Sequence, residues 1–360
     1  MLKHWGTRIA AAVIGVLALV WLGFWIRDLS DPYHLPGGDW RLFKKLFVTS
    51  DGRVVDTGNG NITHSEGQAY GMILAEAYGD RRTFNRIWSW TQKNLQTRPN
   101  DKLLSWLWKP TGKGPEGSVT DPNNASDGEL LAAWALVRAS KRWNSYPYQQ
   151  SAAELLVDLR RLAVRQTPSG LVLLPGVDGF LKADGLVLNP SYYVFPALRE
   201  LAKIFPGSGW DQLDAAGRSL IREARFGKWR LNPDWLLDGE AITLGAPFPP
   251  DFGYNAVRIP LHVAWGDPTS DLLAPYGDFW KDFPDLAAIP ATVNLETDAF
   301  GPDPSLPGVQ SIARFVLACR SGTRLVMRDM PRVSRDEPYY SASLKLLTKV
   351  ALRDTFGGNP

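Results

Sequence analysis

Two short stretches place acids where they could work on a bound ligand: Ser65-Glu66-Gly67-Gln68 and Ser126-Asp127-Gly128-Glu129. Each sets a serine three residues ahead of Gln or Glu and directly before an apolar helical segment, which is the capping-box signature of a helix start. On that reading an acid opens each helix and a glycine follows, so a carboxylate stands at a helix mouth with no neighbouring side chain to block a ligand. Two such mouths on one face would bring two carboxylates into one cleft, the equipment for acid–base cleavage of a polar bond. The bland reading is capping alone, because the helix dipole favours an acid in the first turn whatever the protein does. That dipole also favours the ionised form, whereas a general acid must keep its proton. Burial or a second carboxylate nearby has to oppose it.

Other chemistries find little footing. The four histidines, His4, His34, His64 and His262, are scattered without HExxH or paired-ligand spacing, so neither a metal nor a cofactor is expected. Cys319 is the only cysteine, inside a stretch that reads as a buried helix (SIARFVLACR), and no disulfide framework can form within one chain. Lys and Arg number 40 against 37 Asp and Glu, with no basic run of the kind that tracks a phosphate backbone, so nucleic acid is not an expected partner. Fifteen tryptophans suit a core and also a surface that stacks on sugar rings.

The elements that must carry these acids are mainly helices. Helix-period segments alternate with loops rich in Gly, Pro and Asn; the clearest run from about 66–78, 81–95, 126–143, 150–166, 191–205, 211–227, 254–265, 307–320 and 338–353, and they recur as pairs. Two short, glycine-bounded apolar runs, GLVLLPG (170–176) and GLVLN (185–189), read as a β-hairpin inserted between helices. At the N-terminus residues 9–26 (IAAAVIGVLALVWLGFWI) are uncharged and apolar behind Lys3 and Arg8, long enough to span a bilayer. The run ends in Trp21, Phe24 and Trp25, like an interfacial aromatic belt, which favours an uncleaved signal-anchor over a cleaved signal and predicts export of the remaining chain. A linker over 28–37 would follow.

The stretches HSEGQAYGM (64–72) and DPNNASDGELLAAWAL (121–136) closely resemble glycoside hydrolase family eight, nearest to the cellulase associated with bacterial cellulose synthase. DGRVVD (51–56), WTQKNL (90–95), SWLW (105–108), NPSYY (189–193), NPDW (232–235) and YNAVR (254–258) follow in the family's order and spacing. The likeness covers about residues 38–270 and, more loosely, the rest. It implies an all-α fold, an (α/α)6 toroid of six helical hairpins over about 38–356 with a small β-hairpin insertion, and a substrate groove across the N-termini of the inner helices. It implies hydrolysis of β-1,4-glucan with inversion at the anomeric carbon. The expected setting is a monomer at the periplasmic face of a bacterial inner membrane, free of it if segment 1–27 is cleaved, with a cellulose synthase complex as candidate partner. Xylan, chitosan or mixed-linkage glucan stay open as substrates, because a fold does not fix the sugar.

By match to the family's motifs, Glu66 is the proton-donating acid, Asp127 the second acid at the sugar ring, and Tyr192 the tyrosine that holds the attacking water. The departure is at the base: relatives read YDA[IV]R, and this chain reads Tyr254-Asn255-Ala256-Val257-Arg258. An amide cannot take a proton at neutral pH. Three readings stand: another carboxylate serves, with Asp251, Asp238 and Glu240 nearest in sequence; Asn255 only positions water; or the chain binds glucan without cutting it. Trp106, Trp108 and Trp235 beside inter-helix loops are candidates for stacking on glucose or for core packing, whereas Trp88, Trp90 and Trp134 fall within helices and read as core. Arg258 could hold a cleft carboxylate or a sugar hydroxyl, or be a buried ion-pair partner. Gln68 and Tyr70, in the same motif as Glu66, are assigned with these to substrate binding.

Overall fold

The structure, a computed structural model, describes residues 31–112, 116–167, 170–245 and 248–358, together with positions 13, 15 and 21. Its described helices are α1 (Gly37–Phe47), α2 (Ser65–Ala77), α3 (Arg81–Asn94), α4 (Ser126–Trp143), α5 (Tyr146–Ala163), α6 (Phe195–Ile204), α7 (Trp210–Glu223), α8 (Arg258–Gly266), α9 (Ala274–Trp280), α10 (Pro307–Ser321) and α11 (Tyr339–Phe356). Helices α2, α4, α6, α8 and α11 form an inner ring: each packs on the next, and α11 closes on α2. Helices α3, α5, α7 and α9 return on the outside, α10 lies against α8 and α11, and α1 packs on α11.

Sequence explains which helices go inside. Helices α2, α4 and α11 are apolar or small on nearly every side and bury almost their whole length, whereas α3 and α7 bury one stripe and leave the other face to water. Across the ring Trp134 of α4 meets Trp265 of α8 edge to face, 4.9 Å between ring centroids. Trp88, Trp90 and Trp134 are buried as expected. A buried ion pair, Lys349 with Asp39, ties α11 to α1, and a second, Lys345 with Glu337, lies one turn earlier on α11. Cys319, read as buried, is only partly covered on α10.

The helical pairs stand close to their expected places, and the differences have local causes. Pro190 and Pro196 confine the segment expected at 191–205 to a 3-10 turn at Pro190–Tyr192 followed by α6. The segment expected from 254 starts helically only at Arg258. Helices α1 and α9 went unseen, the first opening on Gly-Gly and the second short with a proline near its start. The expected hairpin does not exist as a pair. Strand β5 (Gly170–Leu173) pairs antiparallel with β4 (Val164–Thr167), the end of the segment read as helix to 166. Strand β7 (Gly185–Leu188) instead joins β6 (Leu181–Lys182) and the distant β8 (Leu236–Asp238), which pairs with β9 (Ile242–Leu244). Partners so far apart in sequence leave no local trace.

Two further small sheets, β1 (Thr63–His64) with β2 (Leu107–Pro110) and β3 (Gly117–Asp121), and β10 (Asp251–Phe252) with β11 (Val293–Asn294), sit in the loops that enter the inner helices. Part of the expected linker already packs on the domain: Pro32 O accepts from Met327 N–H at 2.8 Å, and Leu35 is buried. The apolar run at 9–26, the expected membrane segment, lies outside the described residues except for Val13, Gly15 and Trp21. Among the described residues no helix is long and apolar enough to cross a membrane.

Candidate active site

The helix starts at Ser65 and Ser126 lie side by side, but neither is built as a capping box. Each serine is the first helical residue, preceded by extended backbone at His64 and Ala125. From that position its hydroxyl cannot turn back over the free N–H groups. His64 caps α2 instead, its Nδ1 accepting from Gly67 N–H at 3.0 Å. Ser126 Oγ donates across to Leu174 O at 2.6 Å, and α4 has no side-chain cap. The two starts touch because residue 128 is glycine: a Cβ there would lie 2.3 Å from Ser65 Oγ and 3.1 Å from Glu66 N.

Glu66 and Asp127 meet at this contact and share one cation. Arg258, the first residue of α8, bridges the Glu66 carboxylate through Nη1 and lies 3.3 Å from Asp127 Oδ2 through the same nitrogen. Its Nη2 donates to Asn255 Oδ1 at 2.8 Å and to Ser191 Oγ at 2.9 Å. The guanidinium is buried, Asp127 shows 3% of its side-chain surface and Glu66 18%. Tyr70, one turn along α2, donates its hydroxyl to Glu66 Oε1 at 2.6 Å and accepts from Arg258 at 3.2 Å. Burial pushes the Asp127 carboxyl well up, helped by the negative charge of Glu129, while the Gly128 N–H at 2.9 Å favours its anion.

Around the cluster stand tyrosines from two other inner helix starts. Tyr192, on the turn ahead of α6, lies half-buried with its ring 5.9 Å from the Arg258 guanidinium. Tyr340, at the start of α11, donates to Tyr254 O, and burial raises its phenol to about 12. His262, one turn after Arg258, is held neutral by burial and by that arginine, its titration pushed down to about 3. Every chemical group named so far comes from the first two turns of an inner helix or from the loop entering it.

Several residues assigned to substrate lie elsewhere. Gln68 is fully buried: its Oε1 accepts from Val54 N–H at 2.5 Å and its amide donates to Thr91 Oγ1 at 2.8 Å, so it pins the 51–55 loop and cannot reach a ligand. Tyr70 is buried too and acts on Glu66. Trp108 packs in the core, edge-on to Trp90 and under Arg53. Trp106 is half-buried, and its backbone joins the two helix starts, taking Ser65 N–H on its carbonyl and donating to Asn123 O. Trp235 is half-buried in an aromatic wall, stacked on Phe248 at 4.3 Å and Phe180 at 6.0 Å, with Tyr192 at 6.3 Å. Of the carboxylates near Asn255 in sequence, Glu240 is exposed and Asp238 lies on β8, while Asp251 is half-buried on β10 and raised by desolvation. Asp234, which the residue reading passed over, sits beneath Asn255: its Oδ1 accepts from Gly253, Asn255 and Ala256 N–H at 3.1, 3.0 and 2.7 Å. The signal available was its place in NPDW, an acid after proline, which reads as an ordinary turn. Among the described residues no cluster of His, Cys, Asp and Glu could hold a metal ion.

A sequence profile described as Glycosyl hydrolases family 8 matches residues 15–354. The chain belongs to glycosyl hydrolase family 8. A "Probable endoglucanase" of Novacetimonas hansenii is 39% identical over 316 residues, 87% of this chain and 89% of that protein. The solved endo-β-1,4-glucanase CMCax of Acetobacter xylinum aligns with a TM-score of 0.81 at 37% identity, covering 88% of this chain and 98% of its own. The family 8 endoglucanase of Klebsiella pneumoniae aligns with the same TM-score at 36% identity, over 88% and 99%. The double ring of helices is therefore the (α/α)6 helical fold of family 8.

Within that fold the span from Glu66 to Asn255 is set by Arg258. Arg258 touches the Glu66 carboxylate through Nη1 and Asn255 Oδ1 through Nη2, so the two side chains are neighbours on one guanidinium. Inverting hydrolysis needs an acid and a base with room for a water between them, and an amide cannot be that base.

Proposed function

We propose that this family 8 hydrolase is an inverting endo-β-1,4-glucanase, with Glu66 as general acid. The supporting observation is the pair of acids at two touching helix mouths sharing one arginine, of which Glu66 is the open member. Tyr70 donates to Oε1, so a proton held by Glu66 sits on Oε2, free to move to the glycosidic oxygen. Asp127, nearly sealed, keeps one proton in the cluster and fixes Arg258; it reaches the sugar-binding side through that arginine. Tyr192 and Asn255 hold the attacking water opposite the leaving group. Attack from that face turns the β-linkage into an α-hemiacetal. Trp235 with its stacked neighbours and the exposed Tyr254 give flat apolar faces for glucose rings.

The names of the relatives support β-1,4-glucan as substrate, and the resemblance of the sequence motifs to the cellulase associated with bacterial cellulose synthase favours a role beside cellulose synthesis. The apolar run at 9–26 would tether the domain from about residue 38 onward, as a monomer, to the outer face of the inner membrane. The test is reducing-end release from carboxymethylcellulose and cello-oligosaccharides, with NMR of the first product anomer. Glu66→Gln is expected to lower kcat by roughly 10³-fold or more while binding persists. Equal activity in that variant removes the acid assignment. Binding without turnover in the unaltered chain favours the alternative that Asn255 suggests, a glucan-binding protein that does not cut.

A further inference from the structure

The structure holds a carboxylate where the amide of Asn255 leaves the reaction short of one. We infer that Asp234 is the general base, taking through Oδ2 the proton of the water that Asn255 and Tyr192 orient. The inference rests on the hydrolase reading above and names the group which that reading leaves open.

Three observations carry it. Asp234 is tied to Asn255 itself: one oxygen collects the N–H groups of Gly253, Asn255 and Ala256, so the carboxyl and the amide move as one body. That binding uses Oδ1 alone. Oδ2 lies beside Gly253, where a Cβ would come within 2.9 Å of it, so the glycine leaves room next to this oxygen. Asp234 also belongs to the electrostatic neighbourhood of the cleft, since the phenol of Tyr340 feels Asp234, Asp127 and Arg258 together. Burial raises the carboxyl to about 6 against the pull of the three N–H groups, with Asp251 adding to the rise. Such a group is ionised at neutral pH and still basic enough to accept a proton. Asp251 is the rival; among the described residues its carboxyl gathers no such hydrogen bonds, and its carbonyl supports Asp234 N–H at 2.7 Å.

In the step, the water oxygen forms a bond to the anomeric carbon as its O–H bond breaks and the proton passes to Asp234 Oδ2. The bond from that carbon to the leaving oxygen breaks, its electron pair stays on oxygen, and Glu66 protonates it. Asp234 ends protonated and Glu66 ionised, and exchange with solvent resets both.

The test uses the full chain on cello-oligosaccharides, with Glu66→Gln as control. Asp234→Asn keeps an oxygen for the three N–H groups, so the loop keeps its hold. It is expected to lower kcat by about 100-fold or more with KM little changed, and to erase the acid limb expected in wild-type kcat/KM near pH 6. In Asp234→Ala, azide should restore turnover and give the α-glycosyl azide. Wild-type kinetics and pH profile in Asp234→Asn overturn the inference. So does a loss that appears mainly in KM, or loss of turnover in Asp251→Asn alone. If the unaltered chain cuts no glucan, the hydrolase reading itself fails first; if it cuts and Asp234→Asn cuts equally well, only the base assignment falls.

Discussion

The helix starts at 65 and 126 spell nearly the same four residues and use them differently. At α2 the acid is open, a histidine supplies the cap, and the fourth residue is an uncharged amide that pins one loop. At α4 the acid is sealed, no side chain caps the helix, and the fourth residue is Glu129, buried against Leu104 N–H at 2.8 Å and Asn124 at 3.0 Å. A local pattern therefore specifies that a helix begins, but the loops arriving from elsewhere decide which of its acids meets solvent. One start leaves its acid partly open to solvent and the other encloses it.

The sharpest way to break this contrast is to neutralise the sealed acid. Asp127→Asn keeps the shape of the sealed side chain but removes one of the two carboxyls that share Arg258. Turnover should fall by on the order of 10²-fold, less than in Glu66→Gln. Unchanged turnover would mean that the sealed carboxyl does no more than fill its place.

Next in size is a pH effect confined to α4. Burial lifts Glu129 from about 4.5 to about 7, so the folded chain holds a proton that the unfolded chain releases. The stability gained is full below pH 4.5 and is lost as pH rises through 7, on the order of 3 kcal/mol in total. Melting temperatures of Glu129→Gln should therefore fall less steeply than wild type between those limits, and Gln68→Glu should add a similar slope at α2.

The smallest expected effect concerns contact between the two starts. Gly128→Ala drives a Cβ into Ser65 and the Glu66 backbone and should cost about 1–3 kcal/mol in urea titration. Gly67→Ala meets the end of the Tyr339 side chain at 2.8 Å and should cost less. Equal costs would show that the α2–α4 contact is not the tighter of the two.

Much of this was legible in the sequence, and the misses share a cause. The helix starts at 65, 126, 307 and 339 stand within a residue of their expected positions, because apolar periodicity and the break before it are local. The family motifs named Glu66, Asp127, Tyr192 and Arg258, and the fold gathers all four. Gln68 and Tyr70, expected at the substrate, are buried on α2, because spacing gives the face of a helix but not what packs there. Asp234 and Tyr340 were missed since each gains its meaning from a segment far along the chain. The strands at 170 and 185 were paired with each other for want of any sign of their true partners at 164–167 and 236–238.

Arg258 sits more than 130 residues beyond Asp127 in the chain and 192 beyond Glu66, counting by residue number. During synthesis, then, both acids leave the ribosome well before the cation that neutralises them. An N-terminal fragment that ended before Arg258 would contain the whole SEGQ signature and lack the cation that both acids contact in the full chain.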